Sequence, residues 1–495
     1  MFILKNIGIH ASHENTIFIR EDSPLTHSEG FKVLTRVFVH FNGSKIIATL
    51  NTVHNNLLQY GEAGLSEEAM ARLNVKEGDT ITVKHLQPIN SLSHVRAKIY
   101  GKELTESDYM EIISDVTEGL YSNIELAAFV TACAGNNSMK LNEIVYLTKA
   151  MINAGQKITW EQPVIYDKHC VGGLPGNRTT PIVVSIIAAA GLIIPKTSSK
   201  AITSPAGTAD MMETITNVNL SIDEIKKVVK KENACLVWGG GVKLSPADDL
   251  LIYVEKALNI DSEAQMVASV LSKKAAAGST HVLIDIPFGK TAKVRSHEEA
   301  LKMKYYFEAV GESIGLHIFV LITDGSQPVG KGIGPALEAL DVLSVLENKT
   351  DAPQDLKERA VIIAGKILEI AKKCPDGEGQ KMAEQIINSG KAFEKFKAIC
   401  LAQGDFKLPV KGEFKYDIIS EKNGIVKEID NRKLAQIAKL AGAPKSPGAG
   451  ICFNAPLGKI ISKGEILYTI YAEGKGQLDY VKEYLKAVNH LIIIA

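Results

Sequence analysis

Three stretches of this 495-residue chain gather side chains suited to holding an oxyanion. The first is Asp167-Lys168-His169-Cys170-Val171-Gly172-Gly173-Leu174-Pro175-Gly176-Asn177-Arg178-Thr179-Thr180. Its glycines let backbone approach an anion, Lys168 adds charge, and Thr180 falls at an expected helix N-terminus whose dipole favours phosphate. The GK[ST] ending of a Walker A loop is absent, and a glycine-rich turn with incidental polar residues is the plain alternative. The second stretch, Lys196 to Asp210, crowds lysines and hydroxyls together, groups that bind phosphate and sugar oxygens without reacting. A polar surface loop is its plain alternative. Two such stretches after successive strand signals favour binding.

The third stretch lies after Asp261. Ser269 and Lys273 are four residues apart and so project from one helical face. Asp261 alone reads as a helix N-cap, and Lys273-Lys274 as complements to a helix dipole. Lys290 and Lys293, beyond the next strand signal, bring further positive charge.

These groups need a scaffold, and the surrounding pattern supplies one. Residues 1–86 read as short strands with polar turns, for example Lys32 to Val39 and Thr80 to Val83. Capping-box signals at Thr105-Glu106-Ser107-Asp108 and Ser122-Asn123-Ile124-Glu125 open helices, and a third helix over Leu141 to Asn153 ends at Gly155. From residue 162 strands and helices alternate, with strands expected at Pro163–Tyr166, Leu192–Ile194, Cys235–Trp238, Val282–Ile286 and Ile318–Ile322. Helix punctuation falls between them: Thr180-Pro181 opens one, Gly191 closes it, and Ser221 to Glu224 opens the next. The alternation predicts a mostly parallel sheet. Two helices, Pro246 to Lys256 and Ser262 to Ala277, interrupt it and are expected to rejoin the helical part. Strands return around Gly424–Val426, Ile451–Phe453 and Ile466–Ile470.

The expected architecture is therefore mixed α/β and α+β. A β-rich accessory domain (1–86) precedes a helical lobe (87–161 plus 246–278), interleaved with an α/β phosphate-binding lobe (162–245 plus 279–412). A hammerhead-like α+β module (413–495) ends the chain; it lacks the Met-Lys-Met tripeptide of a biotin carrier.

Composition narrows the class. Basic and acidic residues both number 56, so no global charge attracts nucleic acid or an acidic membrane. The six cysteines have no metal-type spacing, and reduced thiols in a cytoplasmic protein are expected. The N-terminus lacks a signal-peptide pattern, and no apolar run approaches a bilayer span. The closing Leu491 to Ala495 is expected to pack in a domain or subunit interface.

Taken in order, Asp167 to Gly173, Ser198 to Ile202, Gly207 to Asp210 and Ala268 to Lys274 resemble the signatures of the thymidine phosphorylase family. That family includes thymidine, pyrimidine-nucleoside and archaeal-type AMP phosphorylases. The resemblance runs from about residue 87 to 484, and the extra N-terminal domain is similar to that of the AMP phosphorylase branch. It implies a homodimer or higher homo-oligomer with its active site between the helical and α/β lobes. By motif match, Lys168, Cys170, Thr180, Ser198 and Thr208 stand where the family holds phosphate. His169 stands where a histidine faces the pyrimidine or sugar, and Ser269 and Lys273 where the base is held. In the AMP phosphorylase branch, Gly173, Ser199, Lys200, Ala201, Ile202, Thr203, Ser204, Thr208, Ser269 and Lys293 match nucleotide-contacting positions, and Asp261 matches the proton donor.

Four departures from the family pattern stand out. Cys170 replaces a serine, Lys200 replaces the signature arginine, Pro205 replaces a Thr or Ala, and Val254, Glu255 and Lys256 stand where thymidine phosphorylases carry a base-contacting arginine. The missing base-contacting arginine favours a different base, or a nucleotide. The expected reaction is phosphorolysis of a nucleoside or nucleoside monophosphate, with inorganic phosphate as a substrate and no cofactor or metal. An anthranilate-phosphoribosyltransferase-like transferase is the alternative, with Asp248-Asp249 the nearby acidic pair.

Overall fold

The computed structural model describes residues 1–495 except 12–13, 28–33, 55, 87, 136–138, 202–203, 243, 261 and 488–490. The chain divides into two compact units, residues 1–102 with 114–129 and residues 103–113 with 130–495.

In the first unit the short strands close on themselves. Phe2–Asn6, Glu62–Leu65, Thr16–Arg20, Ser44–Val53, Arg36–Phe41 and Thr80–His85 follow one another around a six-stranded barrel. Alternation along each strand turns Ile17, Ile19, Val37, Val39 and Leu50 into a fully buried core. Closure also removes the exposed edges an open sheet would present. The strand expected from Lys32 begins at Arg36 instead, because Leu34 takes a left-handed φ of 70° that breaks extension, while Lys32 and Val33 lie outside the described residues. The Ser122 capping box forms as expected: Ser122 Oγ accepts from Glu125 N at 3.3 Å and Glu125 Oε2 accepts from Ser122 N at 2.6 Å.

In the second unit, the two helices that interrupt the alternation, Pro246–Leu258 and Glu263–Ala276, pack on helix Leu141–Ala154. Gln265 Nε2 donates to Val130 O at 3.0 Å, which fixes the second of them. Its N-cap is Ser262, whose Oγ accepts from Gln265 N at 3.4 Å, so the capping role considered for Asp261 belongs to its neighbour.

The α/β part contains two parallel pieces: a three-stranded sheet in the order His317–Asp324, His281–Phe288, Tyr166–Cys170, and the pair Ile194–Ser198 and Ala234–Trp238. Tyr166 N donates to Ile193 O at 2.9 Å and links them. The first strand runs from Tyr166 rather than from Pro163, and the next from Ile194 rather than Leu192. Both shifts place polar motif residues on strands instead of in loops. The following helix is almost wholly buried from Thr179 to Ala188, with Pro181 in its first turn, where no N–H is needed. It starts at Thr179, one residue before the expected cap.

Beyond residue 412 the strands Gly450–Phe453, Ile466–Ala472 and Phe414–Ile419 form one antiparallel sheet, which Gly332–Ile333 from the preceding part joins at the Gly450–Phe453 edge. Gly424–Ile429 pairs with Ile460–Ile461 and with the closing Ile492–Ile494, so the apolar tail is spent on sheet pairing within this region. Helix Asn431–Leu440 packs its Leu434 and Ile437 into the same core. Among the described residues no helix is long and apolar enough to cross a membrane.

Candidate active site

A cleft of about 1100 Å³ opens at the carboxyl ends of strands Tyr166–Cys170 and Ile194–Ser198, where ligands bind in open α/β sheets. Lys168 sits at its floor and is fully buried. Its Nζ donates to Thr179 Oγ1 at 2.7 Å and reaches Thr180 Oγ1 at 3.5 Å. Among the described residues no carboxylate lies within ion-pair distance of it, and burial pushes its pKa down. A buried ammonium held by hydroxyls alone is a costly arrangement that a bound anion would relieve.

The neighbouring strand positions are held neutral. Burial, then the charges of Lys274 and Lys196, pushes His169 well below the ordinary histidine value, leaving a neutral imidazole. Burial and the adjacent Asp285 raise the Cys170 thiol to about 11, and Asn177 Nδ2 donates to its Sγ at 3.4 Å. Beneath them the buried Asp167 takes Lys274 Nζ at 2.7 Å, Ser279 Oγ at 3.1 Å and Lys196 Nζ at 3.5 Å. Burial alone would raise the Asp167 pKa, but the two lysines bring it below the usual carboxylate range.

The loops are set by backbone contacts that exclude side chains. Gly173 has a φ of 80°, and a Cβ there would meet Lys293 N at 2.6 Å. Only glycine satisfies both, and the contact brings Lys293 to the first loop. Opposite, Asp210 Oδ2 accepts from Ala201 N at 2.5 Å and Gly207 N at 2.8 Å, pinning both ends of the second loop. Arg178 joins the two loops: it pairs with the buried Glu338, donates to Thr208 Oγ1 at 3.2 Å and to Ala206 O at 2.8 Å. Ser198 Oγ is buried in the cleft wall without a hydrogen-bond partner. On the helical side Lys273 Nζ donates to Asp248 Oδ2 at 2.6 Å, and burial together with Asp248 raises the pKa of Asp249.

Three family models match the chain in sequence order. The helical bundle domain of the glycosyl transferase family covers residues 93–155, its a/b domain residues 162–393, and the pyrimidine nucleoside phosphorylase C-terminal domain residues 425–492. A protein of Legionella pneumophila (strain Paris) named "Putative thymidine phosphorylase" is 54% identical over 491 residues, spanning 99% of this chain and 95% of its own. One of the same name from Hahella chejuensis is 50% identical over 483 residues, spanning 98% and 95%. The chain belongs to the thymidine phosphorylase family. It is a pentosyltransferase, a glycosyltransferase of the nucleoside phosphorylase kind. Anthranilate phosphoribosyltransferase from Thermus thermophilus shares the fold at a TM-score of 0.51 and 19% identity, covering 62% of this chain and 98% of that one. The Saccharomyces cerevisiae enzyme gives 0.51 and 16%, covering 64% and 98%.

Of the positions matched to the thymidine phosphorylase family, Lys168, His169, Cys170, Gly173, Thr180, Ser198, Ser199, Lys200, Ser204, Thr208, Ser269, Lys273 and Lys293 line this one cleft. Ala201 does not line it and serves through its backbone N–H to Asp210. Ile202, Thr203 and Asp261 lie outside the described residues. Lys200 is held at the rim by Glu213 at 2.8 Å and stands 5.0 Å over the Trp238 ring. Sequence reasoning passed over Arg178, although it lies inside the first motif, and over Lys196 and Lys274 as a buried pair around Asp167. It also missed the contribution of Asn431, Arg432, Gln436 and Lys439 to the cleft, for which no local signal exists.

Proposed function

We propose that the protein catalyses reversible phosphorolysis of a nucleoside or nucleoside 5′-monophosphate. A phosphate oxygen bonds to C1′ of the sugar while the C1′–N bond breaks, giving free base and a pentose 1-phosphate, 5-phosphorylated if a nucleotide is the substrate. The observation that carries this reading is the buried Lys168 ammonium at the floor of the cleft, held among the described residues only by threonine hydroxyls.

In this scheme Lys168, Thr180, Ser198, Thr208 and the Cys170 thiol hold inorganic phosphate. The bond to C1′ loosens early, so positioning and electrostatic preorganisation are the main contributions. The neutral His169 donates or accepts a hydrogen bond at the sugar or base without adding a charge that would oppose the cationic anomeric carbon. Gly173, the stretch Ser199 to Ser204, Ser269, Lys273 and Lys293 bind the nucleoside part. The electron pair of the broken bond goes to the base, and Asp261 delivers the proton, as the family resemblance implies. No cofactor or metal enters the scheme. The domain limits read from the sequence, the hammerhead form of the C-terminal module, a homodimeric or larger assembly and a cytoplasmic site complete the proposal.

The test is a panel of nucleosides and nucleoside monophosphates incubated with and without phosphate, with free base measured. Phosphate-dependent base release without added metal supports the reading. Release that instead requires pyrophosphate and a divalent cation would favour the phosphoribosyltransferase alternative.

A further inference from the structure

The phosphorolysis scheme leaves one buried lysine of the cleft without a task. Lys196 lies on strand Ile194–Ser198, two residues before Ser198, and both line the cleft. Alternation puts the two side chains on one face of the strand, about 7 Å apart along it. Lys196 Nζ donates to Thr197 O at 2.8 Å and stands 3.5 Å from Asp167 Oδ1, while Lys274 takes the other oxygen of that carboxylate at 2.7 Å. Lys168, Lys196 and Lys274 are thus three buried lysines lining one cleft, and among the described residues they have a single carboxylate within ion-pair distance. An ammonium at Lys196 would bring three N–H groups to two acceptors, Thr197 O and Asp167. A neutral amine brings two N–H groups and a lone pair, and the adjoining Lys274 supplies the matching donor. Burial pushes the Lys196 pKa well below the ordinary lysine value; Asp167 opposes the shift, and Lys274 and Lys168 add to it. The other titratable groups around it bring no negative charge. Burial raises the Cys235 thiol on the next strand to about 12, and His169 is held neutral.

We propose that Lys196 is a positioning residue that couples phosphate binding to proton uptake, a neutral amine in the phosphate-free protein that becomes an ammonium when inorganic phosphate binds at Lys168 and Ser198. In the balanced step the hydrogenphosphate dianion enters from solvent and one proton passes from the buffer to the Lys196 lone pair. The cleft then gains one negative charge instead of two. A nearby opposite charge favours the ionised form that burial alone disfavours, so the dianion itself drives the uptake. The complex holds more protons than the free protein and free dianion, and phosphate binding therefore weakens as pH rises. This role rests on the phosphorolysis reading for the identity of the anion, but it is testable without turnover.

Calorimetric titration of inorganic phosphate into the full-length protein, at about pH 8 in HEPES and in Tris, counts the protons from the dependence of the heat on buffer ionisation enthalpy. Inorganic phosphate is then mostly dianion, so the protons counted are the protein's. Wild type is expected to take up roughly 0.5 to 1 proton per phosphate, with Kd rising about 3- to 10-fold per pH unit. Lys196→Arg carries a charge that does not titrate, so it should bind phosphate with uptake below about 0.2 proton and a flat pH profile. Lys196→Met leaves Asp167 to Lys274 alone and should bind phosphate roughly 10-fold more weakly, also without uptake. It remains informative if circular dichroism shows the arginine variant unfolded. A purely structural lysine would change stability and leave the proton count alone. Uptake unchanged in folded Lys196→Met, as when Lys168 carries the proton, overturns the assignment. A wild type that binds phosphate without uptake also overturns it and leaves phosphorolysis standing, whereas one that binds no phosphate sinks both.

Discussion

Replacing Lys168 with methionine separates a functional charge from a structural one. The side chain is fully buried, and among the described residues its ammonium donates only to the Thr179 and Thr180 hydroxyls. Methionine keeps the length and removes the charge. Exchanging a buried ion for a well-packed apolar side chain is commonly neutral or stabilising by about 1–4 kcal/mol. The two threonine hydroxyls lose a donor but can turn to each other or to backbone, so we expect Lys168→Met to gain about 1–2 kcal/mol without phosphate. Wild type, with phosphate at a hundred times its dissociation constant, gains about 2.7 kcal/mol, and the variant should lose most of that gain. Phosphate-dependent base release should fall about 100- to 1,000-fold, as when one preorganised donor to an oxyanion is removed. Urea denaturation followed by circular dichroism, with and without phosphate, reads the first two quantities, and chromatography of free base reads the third. A variant less stable than wild type and still protected by phosphate would show that Lys168 serves the fold, and the site assignment would fall with it.

Two adjacent glycines give an internally controlled test. Gly172 and Gly173 both have positive φ, at 88° and 80°, but a Cβ at Gly172 meets nothing within 4 Å whereas one at Gly173 meets the backbone of Lys293. Gly172→Ala should cost about 1–2 kcal/mol from the left-handed backbone alone; Gly173→Ala should cost more and also lower kcat/KM, and equal effects in unfolding and activity assays would refute the packing argument. For His169 the folded pKa is depressed, so the native state binds fewer protons than the unfolded chain as pH falls below about 6.5. Its contribution to stability is therefore lost on acidification, and wild type should lose more stability between pH 7 and pH 5 than His169→Gln does; a smaller loss in wild type contradicts the neutral imidazole. Arg178→Met leaves the buried Glu338 without its partner and should cost about 3–5 kcal/mol, with Arg178→Met/Glu338→Gln recovering part of it in the same denaturation assay.

Much of the scaffold was legible because its signals are local. Ser221 caps its helix through the expected box with Glu224, and Gly155 ends helix Leu141–Ala154 as read. The errors fall where charge sits inside strands. Asp167 to Cys170 and Lys196 to Ser198 look like loops, since buried charged residues are rare. The structure satisfies them across the sheet: Asp167 on one strand neutralises Lys196 on the next and Lys274 on a helix. No window of sequence contains those three partners. The same reason hid Arg178, whose carboxylate lies 160 residues away, and the cleft-facing side of helix Asn431–Leu440. A motif announces which residues approach a ligand; the partners that hold them arrive from distant segments.

Whether the cleft is a working site or an incidental hollow is decided by how its polar groups are spent. Arg178 with Glu338 and Asp210 with two backbone N–H groups are fully engaged, and each ties one segment to another. Groups whose purpose is structural end this way, because a buried polar atom without a partner costs about 1–3 kcal/mol. In the cleft lining, the Ser198 hydroxyl, Asn177 Oδ1 and Asn431 Oδ1 are left without a partner, while the buried Lys168 ammonium has hydroxyl partners but no carboxylate among the described residues. Unpartnered buried atoms also occur away from the cleft, at Asn15, Gln265 and Asp405, so a lone deficit does not by itself mark a site. What distinguishes the strand ends is that a carboxylate-free ammonium, Lys168, and an unpartnered hydroxyl, Ser198, line one cleft, and both are complementary to an oxyanion. A buried cation and a free hydroxyl on one surface leave a charge and a donor for an anion to satisfy, which is how a binding site differs from a gap.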